Sequence, residues 1–410
     1  MFSLLKSLGY TDEQIEYILK NISIDSKCEN IIIENFKNNI IFLRSLGFND
    51  EEIIKITLDY TKLFKVKCES LKEKVDFLEE KGYSREKIIR MVFINARVLC
   101  YSVNHYENRI ADMKELGYSL KQIIEMTSIN PIIYSNSKEV LNEKINFLES
   151  LGFSHDDVIK MTCELPSLYG FSVDTFKEKI AFLSSLGYSL PQIVKMSISS
   201  PQILSYSNES LKSKFNLLKS FGYSEEEIIK MTFKCPSIYS RSEETLVLKK
   251  NEIKELGYTD EQFLRITSIL PQIYSYSISN LKKKISDLME LGYTKDEILK
   301  ISLELPSIYS CNIENLKEKI SYYKEIGIDD IVLENPKQLM QSVDLTYARY
   351  RYLTEVEHMT IDYDNCYRLF VGSKPFEKRY NINKEQLLEM YSYDKDRRQS
   401  KDVRKTKIKP

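Results

Sequence analysis

What this 410-residue chain has little of narrows its function first. It has three histidines, His105, His155 and His358, each alone in the sequence. Its seven cysteines (Cys28, Cys68, Cys100, Cys163, Cys235, Cys311 and Cys366) are scattered without a CxxC pair. Such an odd, unpatterned set reads as reduced thiols, not as a disulfide framework. No glycine-rich phosphate loop, Ser-His-Asp set, HExxH or paired-carboxylate motif is present. The expectation is therefore a protein with no catalytic residue, no cofactor and no metal. No run approaches the roughly 18 apolar residues of a membrane span. The N-terminus has no secretory signal, is too acidic and Arg-poor for a transit peptide, and opens in the middle of a structural unit. Net charge is also lacking, at -1 overall. That balance hides an asymmetry. Lys395–Pro410 holds eight Lys/Arg against two Asp, a sum of +6, so residues 1–394 carry about -7.

Glycine is scarce too, at 12 residues, but ten of them share one role. Gly47, Gly82, Gly117, Gly152, Gly187, Gly222, Gly257, Gly292 and Gly327 stand 35 residues apart, and Gly9 lies 38 before Gly47. Self-similarity at this period marks a solenoid, which grows by adding units and has no single-core size limit. The expected fold is all-α: a curved solenoid of about nine 35-residue helix-turn-helix repeats, each ending in a short 3₁₀ segment. Hydrophobic content of 42% suffices for a continuous core.

Each unit carries its own start and stop signals. In Leu141–Leu151 the apolar residues Leu141, Ile145, Leu148 and Leu151 form one helical stripe. Ser70, Ser210, Asn280 and Asn315 precede the equivalent leucines and are read as N-caps. The glycine ends this helix in the left-handed region. Capping boxes follow at Thr11/Gln14, Ser119/Gln122, Ser189/Gln192, Ser224/Glu227, Thr259/Gln262 and Thr294/Glu297. Pro131, Pro166, Pro201, Pro236, Pro271 and Pro306 stop the second helix. Thr61 and Ala96 replace proline in the early copies, and the last copy is five residues short. The boundaries read as a partial capping repeat at 1–35, the repeat array at 36–343, a helical C-terminal cap at 344–394, and a basic disordered tail at 395–410.

The unit L-x-x-K-I-x-F-L-x-S-L-G-Y-S-x-x-E-I-I-K-M-x-x-x-x-P-x-I-Y-S resembles that of the mitochondrial transcription termination factor (mTERF) family. The resemblance covers Phe36–Val343, and Leu345–Leu353 and Phe376–Tyr380 look like the family's C-terminal signature. It implies a basic concave groove that binds double-stranded DNA or RNA, with roles in transcription regulation or termination, RNA processing or ribosome assembly. Transcription or ribosome-assembly proteins would then be partners. A protein-protein interaction scaffold with no specific nucleic-acid ligand is the competing reading. The abundance of Ile, Lys, Asn, Tyr and Ser suggests an AT-rich genome. A monomer in a bacterial cytoplasm is expected, with mitochondria or plastids as the alternative.

One constellation could carry nucleic-acid binding. Lys74, Arg109, Lys144, Lys179, Lys214, Lys249, Lys284 and Lys319 stand eight residues before each glycine, with Asn39 the exception in the first full unit. On a helical wheel this position falls inside the apolar arc, where a long stem can lie on apolar surface. Two readings stay open: a phosphate-tracking ladder, or a structural row that pairs with carboxylates or caps carbonyls of a neighbouring unit. Lys55, Arg90, Lys160, Lys195, Lys230, Arg265 and Lys300, broken by Glu125, form a second row that reads as a solvated face. Tyr134, Tyr169, Tyr239, Tyr274 and Tyr309 read as plugs between units, with base stacking as the alternative. In the tail, Arg397, Arg398, Arg404 and Lys405, with Lys401, Lys407 and Lys409, would add nonspecific affinity for polyanions.

Overall fold

A computed structural model of the chain describes residues 1–22 and 29–393. Among the described residues there are 24 α-helices, nine 3₁₀ helices and no strand. No helix among them is long and apolar enough to cross a membrane. The chain divides into two compact units, Met1–Ser213 and Lys214–Pro410.

The repeat is a three-helix module: a first helix such as Lys138–Ser150, a second such as His155–Glu164, and a 3₁₀ helix such as Pro166–Gly170. The turn between the first two needs glycine. Gly82 sits at φ 98°, its N–H bonds the Glu79 carbonyl at 2.9 Å, and the next N–H, of Tyr83, reaches back to Leu78 at 3.0 Å. This pair of bonds closes the helix's last carbonyls and holds the intervening residue left-handed. At Gly257, φ 114°, a Cβ would also lie 3.0 Å from Leu299 Cδ1.

The expected capping boxes form, and Asn49/Glu52, Ser154/Asp157 and Asn383/Gln386 add three more. The N-caps of the first helices differ from the expectation. Ser70, Ser210, Asn280 and Asn315 are not caps. They lie three residues inside, and the Asn280 and Asn315 N–H groups donate to the true caps, Ser277 and Asn312. In Ile278–Glu290 and Ile313–Glu325 the first buried residue, Leu281 or Leu316, comes almost a turn after the start, so the stripe marks burial and not the helix start. The 3₁₀ helix forms even where proline is missing, at Thr61–Lys65 and Ala96–Cys100.

Buried hydroxyls join successive repeats. At four turns the tyrosine after the glycine meets a Thr or Ser and a Tyr of the following repeat, while Tyr10 meets Thr57 at 2.6 Å and the Tyr293 hydroxyl is buried without a partner among the described residues. In the first unit these sets are Tyr83–Thr127–Tyr134 and Tyr118–Thr162–Tyr169, and in the second Tyr223–Thr267–Tyr274 and Tyr258–Ser302–Tyr309. The direction of donation follows from chemistry. Thr127 Oγ1 donates to the Ile123 carbonyl at 2.7 Å, so Tyr83 must donate to Thr127, at 2.6 Å, and Tyr134 to Tyr83. Burial raises the pKa of Tyr169 and Tyr223 to about 12. Where the glycine is followed by Phe, the matching slots change with it. Phe48 is answered by Val92 and Leu99, and Phe153 by Ser197 and Leu204, all buried. The seam tyrosines Tyr134, Tyr169, Tyr274 and Tyr309 are buried within this core.

The repeat's landmarks continue past Val343, where the sequence period fades. Ser342 caps Val343–Glu355 as the equivalent serines cap earlier first helices. Helix Ser373–Tyr380 ends at Asn381, which takes the glycine's left-handed role at φ 52°. The box Asn383/Gln386 then starts Lys384–Met390. His358 also sits at a left-handed turn, φ 53°.

Candidate nucleic-acid interface

The row eight residues before the glycine points inward. Lys74, Lys144, Lys179 and Lys249 are each less than a tenth exposed, and Arg109, Lys214, Lys284 and Lys319 are half-buried. Their heads serve the 3₁₀ helix of their own repeat. Lys74 Nζ donates to the Leu99 carbonyl at 3.0 Å, Lys214 to Tyr239 at 2.6 Å, Lys319 to Leu339 at 2.6 Å, and Lys144 to Tyr169. Arg109, Lys284 and Lys179 reach two residues further, to the carbonyls of Asn136 (3.2 Å), Cys311 (2.6 Å) and Tyr206. Lys249 pairs with Glu252 on its own helix. A 3₁₀ helix leaves its last carbonyls without intrahelical partners, and the ammonium supplies the donor. Burial holds the Lys74, Lys144, Lys179, Lys214 and Lys319 pKa values below the usual lysine range.

Two residues outside the basic set identify this role. Asn39, the uncharged exception, donates through Nδ2 to the Leu63 and Val66 carbonyls at 2.9 and 2.8 Å. Arg349 occupies the same slot, seven residues after the Ser342 cap, and is 1% exposed. Its guanidinium donates to Leu369 and Val371 at 2.8 and 2.7 Å and lies 4.6 Å from the Phe376 ring. Burial pushes its pKa down to about 10. The slot keeps a hydrogen-bond donor when it loses its charge, so the capping of carbonyls describes its geometry.

The second row has the opposite placement. Lys55, Arg90, Lys160, Lys195, Lys230, Arg265 and Lys300, and the interrupting Glu125, are all exposed on second helices. Glu51, Glu86, Asp156, Glu226, Glu261 and Asp296 stand one turn earlier, where acids suit the positive helix start. Arg265 also pairs with Glu304, and Glu125 receives Lys87 at 2.5 Å. Sequence reading passed over a further exposed set, Lys37, Lys72, Lys177, Lys212 and Lys282, two residues before the buried row. Its shared 35-residue spacing was the available signal.

The histidines serve structure. His105 Nε2 lies 2.8 Å from the Tyr134 carbonyl, and its ring stacks on Tyr101 at 4.5 Å. It is three residues inside its helix, whose cap is Ser102. His155 pairs with Glu149 at 2.7 Å. Among the described residues, no group of three His, Cys, Asp or Glu is placed to hold a metal ion. Arg397, Arg398, Arg404 and Lys405 lie outside the described residues.

The mTERF family model matches residues 1–149 and 181–362, most of the chain. No curated protein matches it.

Proposed function

The chain belongs to the mTERF family, helical-repeat proteins that bind nucleic acids, and from that premise we propose that it acts without catalysis in transcription regulation or termination, or in RNA metabolism, by binding double-stranded DNA or RNA. The observation that carries the choice of surface is the exposed row on the second helices. Lys55, Arg90, Lys160 and Lys195 offer one cation per second helix in the first unit, apart from the break at Glu125, and Lys230, Arg265 and Lys300 do so in the second. Regular cations on a rigid scaffold track phosphates and release counterions. The acids one turn away reduce the net field, so the interface is expected to be moderate in affinity and weaker at high salt. The buried row is structural: it ties first helices to the 3₁₀ segment that follows the second helix. We propose a monomer in a bacterial cytoplasm as the working context.

The test is titration of the purified chain with duplex DNA, duplex RNA and single strands at two salt concentrations. Changing Lys55, Arg90, Lys160 and Lys195 together to Gln should lower the slope of log K against log salt by about 3 to 4, at about 0.9 per phosphate contact, with folding unchanged. Wild-type binding by that variant would remove the row from the interface. Weak binding to every nucleic acid, lost on deleting 395–410, would leave a scaffold for a protein partner.

A further inference from the structure

We propose that an apolar patch on the first unit docks an amphipathic helix of a protein partner, one with acidic residues beside its apolar stripe. The patch is built from Phe93, Ile94, Ile129 and Ile132. Ile94 and Ile129 are the last residues of the second helices Arg85–Ile94 and Leu120–Ile129, and Ile132 lies in the 3₁₀ helix that follows, Pro131–Ser135. The two second helices pack directly against each other. Ile94 and Ile129 stand at one register of the repeat, so ordinary helix spacing puts them roughly 10 Å apart. Burial does not account for these side chains. Ile94, Ile129 and Ile132 leave 43%, 43% and 50% of their surface in solvent. The repeat does not account for them either. Among the described residues, every other 3₁₀ helix has Lys, Arg, Ser or Gln where Ile132 stands. The slot of Ile94 and Ile129 is polar in most repeats, as at Asp59, Glu164, Ser199, Lys234 and Glu304. Ile269 fills it in the second unit, but there the 3₁₀ position is Gln272. In the first unit the apolar exceptions fall side by side, and a contiguous exposed apolar surface with a polar rim marks a protein contact.

The rim selects the occupant. Arg90 lies one turn before Ile94 on the same helix and Arg97 three residues after it, and both are exposed. The Lys55 ammonium lies 4.1 Å from the Phe93 ring, a third cation at this edge. Glu125, one turn before Ile129, receives Lys87 at 2.5 Å, so its charge is already answered. Glu164 stands at the far edge with Lys160 one turn before it, both exposed. The rim therefore offers cations to a partner's carboxylates. The centre offers hydrocarbon, which a phosphate cannot use, and it sits where Glu125 interrupts the exposed cation row. A helix rises 1.5 Å per residue, so residues i and i+7 of a partner helix span about 10 Å, the separation of Ile94 and Ile129. A helix laid across the two second helices sets one apolar residue over each isoleucine and brings Glu or Asp side chains to Arg90 and Arg97.

The test is fluorescence anisotropy of a labelled synthetic helix titrated with the full chain. The probe has about 18 residues, long enough to hold a helix, with Leu at i, i+3, i+4 and i+7 and Glu beside them. Binding is expected. The I94S/I129S/I132S variant should weaken it by about tenfold or more, as loss of a central apolar anchor does, while unfolding at the wild-type temperature because all three residues are exposed. The same helix with Lys in place of Glu should bind more weakly than the Glu helix, and R90E should narrow that difference. No binding of the Glu helix, equal binding of a scrambled peptide of the same composition, or equal binding by wild type and the triple variant overturns the proposal. A dimer of the chain alone that the triple variant loses in sedimentation would also overturn it, by assigning the patch to a second copy. Loss of duplex DNA binding in the triple variant would overturn it by assigning the patch to nucleic acid. The peptide titration contains no nucleic acid, so its failure leaves the reading of the second-helix row standing.

Discussion

Two basic rows run through this protein at the same 35-residue spacing and end in opposite places. On the first helices, Lys74, Lys144, Lys179 and Lys249 are buried, and most of the row donates to carbonyls of the 3₁₀ helix. On the second helices, Lys55, Arg90, Lys160 and their equivalents stand in solvent. Periodicity shows that a position is under a recurring constraint and leaves the constraint unnamed. The exceptions name it. Asn39 keeps the carbonyl bonds without a charge, and Arg349 keeps them in a region where the repeat is no longer visible in sequence.

The comparison breaks most readily at Arg349. Arg349→Met removes the donor from the Val371 carbonyl and the stacking on Phe376, while Leu369 keeps its bond from Gln341. A loss of about 2–4 kcal/mol is expected. Lys144→Met should cost about 1–3 kcal/mol, because its apolar stem is replaced and one buried carbonyl is orphaned. Lys160→Met, exposed, should change stability by less than about 0.5 kcal/mol. Urea unfolding of the three variants checks the order. Equal losses for Lys144→Met and Lys160→Met would erase the distinction between the rows.

Much of this was legible from the residues. The glycine spacing, the capping boxes and the proline stops carry local chemistry, and local chemistry repeats visibly. The inward arc of the first row was readable on a helical wheel, but its partner was not. A carbonyl is present at every residue, so no side-chain covariation points to it. The helix starts were missed because exposed residues such as Lys138 and Glu139 precede the apolar stripe. The tyrosine seam was half-readable. Its Tyr reads as a plug, while the link to the preceding repeat needs pairs 44 and 51 residues apart, such as Tyr118 with Thr162 and Tyr169. The final helices read as a helical cap at 344–394, but their repeat landmarks are hidden in sequence because Asn381 replaces glycine at the turn.

The seam extends the same lesson to uncharged groups. Thr267 and Ser197 occupy one repeat slot, and both are fully buried. Thr267 accepts from Tyr223 and donates to Phe263 at 2.6 Å, whereas Ser197 Oγ faces the Phe153 position and has no partner. Thr267→Val should cost about 1 kcal/mol by leaving the Tyr223 hydroxyl with Tyr274 as its one partner, and Ser197→Ala should fall within about 0.5 kcal/mol of wild type or stabilise. Similar losses in thermal unfolding for both would mean that the hydroxyl bonds add nothing beyond packing.

The smallest effect concerns a charge pair that has been reversed. Across four of the glycine turns a basic residue meets an acid six residues on: Lys6 with Asp12, Arg44 with Asp50 and Lys219 with Glu225 at 2.7 Å, and Lys254 with Asp260 at 2.9 Å. At the Gly152 turn the signs are exchanged, and Glu149 meets His155, also at 2.7 Å. The Glu149 carboxylate raises the imidazole pKa, with the Leu116 carbonyl assisting against partial desolvation. A folded pKa above the unfolded value, about 6.5, gives stabilisation that is fully present below that pH. It fades as the pH rises through the folded pKa. The other clips keep their charges across this range, so this turn alone should loosen toward alkaline pH. Because the pair is largely solvated, the change should stay below about 1 kcal/mol. Nuclear magnetic resonance titration of the three histidines reads it directly. Glu149→Gln should bring the His155 midpoint back down, and an unmoved midpoint would show that the carboxylate does not hold the proton there.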